Sequence, residues 1–260
     1  MPPLLHRRDL LRLACGGLIA GLTTACRTGQ ATEGSPTGGR LPSRPRPPAP
    51  GRPPTGLVPL QLSGSDRDGA VYVPPIYRHD IPAPLILSLH GAGGSGRRGL
   101  RRLQSLADAS GLIVLVPDSR GGTWDVVRSG GFGPDVEFLD RALDLVFARY
   151  NVDPARMVAE GFSDGASYAL SLGLLNGDLF THVIAFSPGF VTDGSRRGKP
   201  RIFLSHGVQD RVLPIDLCSR RIVQQVRGDG YDVRYTEFDG GHEVPLEIAG
   251  AALAWLGDRG

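Results

Sequence analysis

Cysteine is scarce: Cys15, Cys26 and Cys218 are the three in 260 residues. There is no CxxC pair, no HExxH and no cluster with metal-ligand spacing, which excludes dithiol redox chemistry and the common zinc sites. Only Cys218 lies beyond residue 26, so it reads as a small core residue in a domain without an internal disulfide. No apolar run reaches the ~20 residues of a membrane span. Lysine is nearly absent, one against 28 arginines, which reflects codon preference rather than chemistry. The net charge of +3 is also misleading. Residues 1–25 hold three Arg and one Asp, and residues 26–56 hold five Arg and one Glu, so residues 57–260 carry about −3. A domain of that sign has no basic footprint for nucleic acid.

The surplus of arginine marks the N-terminus as an address. Arg7-Arg8-Asp9-Leu10-Leu11-Arg12 is followed by an apolar, small-residue stretch from Leu13 to Ala25. That stretch is too short to span a bilayer and reads as an export signal, with the paired arginines pointing to the twin-arginine route. Leu22-Thr23-Thr24-Ala25-Cys26 resembles a bacterial lipobox whose leucine sits one place too far upstream, with Cys26 as the lipidated residue. The expected location is therefore periplasmic, cell-envelope or extracellular, with the lipid at Cys26 as the one route to a membrane. Residues 27–56 contain eight Pro and six Gly. Such a composition cannot bury enough apolar surface to offset its ordering entropy, so a disordered tether is expected.

From residue 57 onward, strand and helix patterns alternate. Strand-like runs occur at residues 70–73, 85–89, 112–116, 157–160, 182–186, 202–205 and 233–238. Several are continuously apolar, as strands buried on both faces of a parallel sheet must be. Between them, Val136, Leu139, Leu143, Val146 and Phe147 share one helical face, and residues 166–175, 216–227 and 243–256 supply further helices. The alternation predicts one α/β catalytic domain over 57–260, with a mostly parallel central sheet and helices on both faces. Only residues 188–198 join two late strands, which leaves no room for a cap domain.

In such sheets, reactive groups collect just beyond the carboxyl ends of the strands. Gly161-Phe162-Ser163-Asp164-Gly165 sits there, between a strand and a helix, which is the context GxSxG requires. Ser163 is the candidate nucleophile, at a helix N-terminus whose dipole favours developing negative charge. A serine needs a base within reach. His90, His206 and His242 all follow strands. His242 alone completes the order Ser, acid, His, and His90 and His206 read as structural. Asp210 is the candidate acid, with Asp193 as its rival. The oxyanion donors are expected at the backbone amides of Asp164 and of Ala92, with Gly91 and Gly93 as neighbours of Ala92 in a glycine-rich loop. That loop lacks the spacing of a phosphate cradle.

These pieces resemble the α/β-hydrolase superfamily. The match rests on Leu89-His90-Gly91-Ala92-Gly93-Gly94, Tyr150-Asn151-Val152-Asp153-Pro154-Ala155-Arg156, the GFSDG elbow, His206-Gly207 through Asp210, and Gly241-His242. The chain is most similar to the compact phospholipase/carboxylesterase branch, with feruloyl esterases and polyhydroxybutyrate depolymerases. The resemblance covers residues 70–257 and implies hydrolysis of small or polymeric esters with no cofactor and no metal. Depolymerases of this type often carry Asn after the serine, where this chain has Asp164. Trp124, in a glycine-rich loop at the catalytic edge, is the candidate substrate wall, unless it packs beneath its own loop. Arg97, Arg98, Arg101 and Arg102 either attract an anionic substrate or form a solvated helix face. Two other readings stay open: an acyltransferase on the same scaffold, and a non-catalytic envelope-binding lipoprotein.

Overall fold

The computed structural model describes residues 38–65 and 67–257. The export signal over 1–26, Cys26 and the first part of the tether lie outside the described residues.

Eight strands form a single sheet: β1 (Gly56–Pro59), β2 (Ala70–Val73), β3 (Ala83–Leu89), β4 (Ile113–Val116), β5 (Val152–Phe162), β6 (His182–Phe186), β7 (Arg201–Gly207) and β8 (Val233–Phe238). Their order across the sheet is β1-β2-β4-β3-β5-β6-β7-β8. β1 pairs with β2, and β2 with β4, in antiparallel fashion; the remaining pairs are parallel. The helices are α1 (Gly96–Ser110), α2 (Asp125–Ser129), α3 (Pro134–Arg149), α4 (Asp164–Leu175), α5 (Ser219–Gly228) and α6 (Leu246–Gly257).

The continuous apolar runs are explained by two covered faces. Leu85, Leu87 and Leu89 of β3 join a cluster with Leu139, Leu143 and Phe147 of α3 and Leu172 of α4. Ile86 of the same strand faces the other way, into a cluster with Leu100 and Leu103 of α1 and Trp255 of α6. Successive side chains of a strand point to opposite sides, so every second residue feeds a different core. α5 closes the far end against β7 through Ile222, Val223 and Val226. No helix lies in residues 187–200 between β6 and β7, in keeping with the expected lack of a cap.

The tether expected over 27–56 needs correction in its described part. Residues 38–56 lie along α3 and the end of α4. Leu41 is fully buried in the core cluster of α3 and α4. Its amide donates to Asn176 Oδ1 at 2.9 Å, and Asn176 Nδ2 donates back to Gly39 O at 2.9 Å. Arg40 grips Asp178 with two bonds of 2.9 Å, and Arg44 adds a third at 2.7 Å. Further along, Ala49 N donates to Ala148 O and the Tyr150 hydroxyl to Pro54 O, both at 2.9 Å. One anchoring leucine and a few ion pairs offset the ordering entropy that composition alone assigned to the segment.

Cys218, expected as an unmodified core thiol, is buried and disulfide-bonded. Cys15 and Cys26 lie outside the described residues.

Candidate active site

β5 runs directly into the elbow. Ser163 has φ 58° and ψ −122°, a conformation costly for a residue with a side chain. The surroundings hold it there. Its amide donates to Phe186 O at 2.9 Å, while its carbonyl accepts from Ala166 N and Ser167 N at 2.9 and 3.0 Å to begin α4. The turn is tight enough that a Cβ on Gly161 would lie 2.2 Å from Gly165 O, and one on Gly165 would lie 2.1 Å from Leu89 O. Both glycines of GxSxG are thus required by close backbone approach.

Three separated side chains meet above this turn. His242, in the loop after β8, places Nε2 2.8 Å from Ser163 Oγ. Its Nδ1 lies 2.6 Å from Asp210 Oδ2. The carboxylate accepts at Nδ1, so the proton sits there, and Nε2 is left to accept from the serine hydroxyl. Asp210 follows β7, and its side chain is fully buried. Its Oδ1 accepts the amides of Val212 and Leu213, both at 2.9 Å. The His242 ring leans on Phe162 with centroids 4.8 Å apart. Ser163 itself is 8% exposed and His242 somewhat more open, so the reacting atoms sit at the bottom of a rim rather than inside the core. Asp193 is exposed beside Arg196 and Tyr231 and is not the partner of His242.

The glycine-rich loop after β3 passes beside the nucleophile: a Cβ on Gly91 would lie 3.3 Å from Ser163 Cβ. Gly93 N donates to Gly122 O at 2.8 Å, and Gly94 N donates to Gly91 O at 3.0 Å, so these two amides are engaged within the loop system. Among the described residues, neither the Ala92 amide nor the Asp164 amide has a protein acceptor. These are the two donors the sequence singles out.

Trp124 does not wall the substrate. It is fully buried, and its Nε1–H donates to His90 O at 2.8 Å. Its ring packs against His90 on one side, 4.9 Å between centroids, and stacks on Tyr168 on the other at 5.2 Å. An indole needs a partner for its N–H when buried, and the loop carbonyl supplies it. His90 joins the same brace. Its Nδ1 donates to Gly91 O at 2.8 Å, and Nε2 accepts Ser119 N at 3.0 Å. Burial pushes the His90 pKa below the usual imidazole value, in keeping with a neutral ring. Trp124 and His90 thus brace the glycine-rich loop after β3 from behind. Buried Asp125 and Asp135 tie the neighbouring segment between β4 and α3, which carries Trp124, through backbone amides of Arg120, Asp125, Val126, Gly133 and Asp135. The period-based reading missed this pair, because its partners are main-chain groups.

Arg97, Arg98 and Arg101 are exposed on α1. Arg102 instead turns inward, 3.6 Å from the buried carboxylate of Glu160.

The strand order and the parallel core define the α/β-hydrolase fold. A solved structure titled "Crystal structure of esterase PE8" superimposes with a TM-score of 0.61 over 78% of this chain and 98% of that one, at 23% identity. Residues 61–201 match the model of the Esterase family, described as "Putative esterase", and the chain belongs to that family. A curated relative named "Putative esterase NocK", from Nocardia uniformis subsp. tsuyamanensis, is 29% identical over 143 residues, covering 51% of this chain and 42% of that protein. An "Acetylxylan esterase" from Coprinopsis cinerea is 28% identical over 147 residues, covering 52% of this chain and 39% of its own length. The chain spans about two fifths of the length of these curated relatives in the matched regions.

Proposed function

We propose that this chain is a serine hydrolase that cleaves carboxylic esters through an acyl-enzyme intermediate. His242 takes the Ser163 proton as Oγ attacks the ester carbonyl. The carbonyl oxygen gains the negative charge, and the Ala92 and Asp164 amides receive it. His242 then gives its proton to the departing alcohol, leaving Ser163 acylated. In the second half, His242 deprotonates a water, which attacks the acyl carbonyl, and the proton returns to Ser163 as the acid leaves. Asp210 holds the Nδ1–H tautomer and stabilises the transient imidazolium. The observation that carries this reading is the unbroken line from Oγ to Nε2 at 2.8 Å and from Nδ1 to Oδ2 at 2.6 Å.

The test is turnover of p-nitrophenyl acetate and butyrate by the purified chain and by Ser163→Ala. Removing the nucleophile of such a triad costs at least about 10⁴-fold. Full activity in Ser163→Ala would overturn the assignment. A panel of acetylated sugars, longer acyl esters and aromatic-acid esters then ranks substrates; acetyl esters come first because one relative is named an acetylxylan esterase.

We further propose export by the twin-arginine route, and lipidation at Cys26 in chains where Cys26 is not taken up by the Cys218 disulfide, on the strength of Arg7-Arg8 and the lipobox-like Leu22–Cys26. Intact-mass analysis of the chain from a cell envelope tests both. A diacylglyceryl adduct at Cys26 supports the anchor, and an unmodified Met1 start overturns export.

A further inference from the structure

One buried side chain touches the triad without a part in the proposed steps. His206, next to last in β7, is wholly buried, and so is the Asp210 side chain beside it. His206 Nε2 lies 3.1 Å from Asp210 Oδ2, the same oxygen that receives His242 Nδ1. It also lies 2.8 Å from Leu213 O. A carbonyl can only accept, so the proton sits on Nε2 and is bonded to Leu213 O, with Asp210 Oδ2 close beside it at 3.1 Å. Nδ1 then accepts from the Ser219 hydroxyl at 2.5 Å, which fixes that tautomer from the other side.

We propose that His206 is a positioning residue: a second imidazole donor to Asp210 that, with Ser219 behind it, fixes the carboxylate through which His242 acts. The kinetic part of this proposal rests on the ester-hydrolase reading above.

With His206 in place, every face of the Asp210 carboxylate is engaged. Oδ1 takes the Val212 and Leu213 amides, Oδ2 takes His242 Nδ1, and the His206 ring closes on the same oxygen at 3.1 Å. The carboxylate cannot rotate away from His242. A second donor also draws charge off Oδ2, which moderates how strongly Asp210 favours the imidazolium of His242. The charged groups facing His206 are Asp210, His242 and Glu237 of β8, the last opposite it in register and paired with Arg220 of α5. Burial outweighs the pull of Leu213 O and Asp210 and pushes the His206 pKa down, in keeping with a donor that stays neutral. A protonated ring would have to lose the bond from Ser219, which Nδ1 now accepts.

Two measurements test this. The first needs no variant. Nitrogen-15 NMR of the full chain, with imidazole resonances assigned, is expected to show His206 neutral with its proton on Nε2 near neutral pH. A neutral His206 protonated at Nδ1, or a charged ring, would overturn the proposal whether or not the chain hydrolyses esters. The second follows kcat of p-nitrophenyl butyrate turnover against pH in His206→Leu, His206→Gln and Ser219→Ala. Hydrogen bonds to charged groups are worth at least about a tenfold effect, so kcat of His206→Leu is expected to fall by that much with KM within about twofold of the parent. Its acid limb is expected to move to higher pH, because Asp210 then bears more charge for His242. His206→Gln, whose amide can reach the same oxygen, is expected to restore most of both effects, and Ser219→Ala to fall between. An acid limb unmoved in folded His206→Leu, or equal losses in the Leu and Gln variants, would reduce His206 to a packing residue. Absence of ester turnover in the parent chain would instead count against the activity, and the tautomer measurement would stand apart from it.

Discussion

Thr123 donates its hydroxyl to Asp164 Oδ2 at 2.6 Å, joining the loop after β4 to the residue next to the nucleophile. On the proposed mechanism, Asp164 offers two opposed things to the reaction: an amide that receives an oxyanion and a carboxylate that repels one. The threonine holds the carboxylate toward the loop. Asp164→Asn keeps an acceptor for Thr123 and removes the charge, so kcat on neutral esters is expected to rise by about two- to fivefold at low salt, as a screened charge a few ångströms away would allow. Thr123→Val should lower kcat by freeing the carboxylate. An unchanged kcat in both variants would show that this charge does not reach the reacting carbonyl.

Trp124 provides a test of the oxyanion loop. Trp124→Phe keeps a ring between His90 and Tyr168 but removes the bond to His90 O. A loss of about tenfold in kcat, with KM little changed, is expected if the loop's position sets the Ala92 donor. A change confined to KM would return Trp124 to the role of substrate contact. Trp124→Ala should cost about 3–5 kcal/mol of stability through the cavity it leaves, measurable by urea denaturation.

Acidification should destabilise the fold early. Burial lowers the pKa of His90 and of His206. The folded chain therefore binds fewer protons than the unfolded chain once the pH drops below the ordinary histidine value of about 6.5. Stability tracks the difference, so the melting temperature is expected to fall between pH 7.5 and 6. The raised carboxyls of Asp135 and Glu160 act in the opposite sense, since their folded forms take up protons more readily. A melting temperature that rises over that interval would show the carboxyls dominating.

The strap over residues 38–56 makes the fourth test. Leu41→Ala is expected to cost about 2–5 kcal/mol. Arg40→Ala should cost less than about 1 kcal/mol, because Arg40 and Asp178 are both partly solvated. The Arg40 and Arg44 guanidiniums hold the Asp178 carboxyl far below its usual range, so their contribution is present above about pH 4 and disappears as acid protonates that group. Equal, negligible effects of both substitutions on a urea midpoint would mean that the strap is not coupled to the domain.

The two readings from sequence fared differently for physical reasons. Ser163, Asp210 and His242 could be placed together because each directly follows a strand, and parallel strands deliver their carboxyl ends to one edge. The β6 run is legible for a related reason: all but its first residue are buried, so no polar position blurs its core. Leu41 gave no such signal. Its partner Asn176 lies 135 residues away and the α3–α4 core is also distant in sequence, so a single leucine among prolines and glycines disappears into the average. Trp124 was ambiguous because an indole suits a substrate wall and a loop core alike. Its choice is made by His90 O, a main-chain atom that no pattern of side chains reveals. β1 and α2 were also invisible, four and five residues long respectively and too brief for a period to emerge.

Since no helix lies between β6 and β7, that stretch raises no roof over Ser163, which sits at the bottom of its rim. On the proposed reading, an ester fixed on a surface, such as an acyl group on an insoluble polysaccharide, is met in place and need not be drawn into a chamber. Selectivity then falls to the side chains that ring the opening, and turnover should show no lag when the ester is presented on a particle instead of in solution.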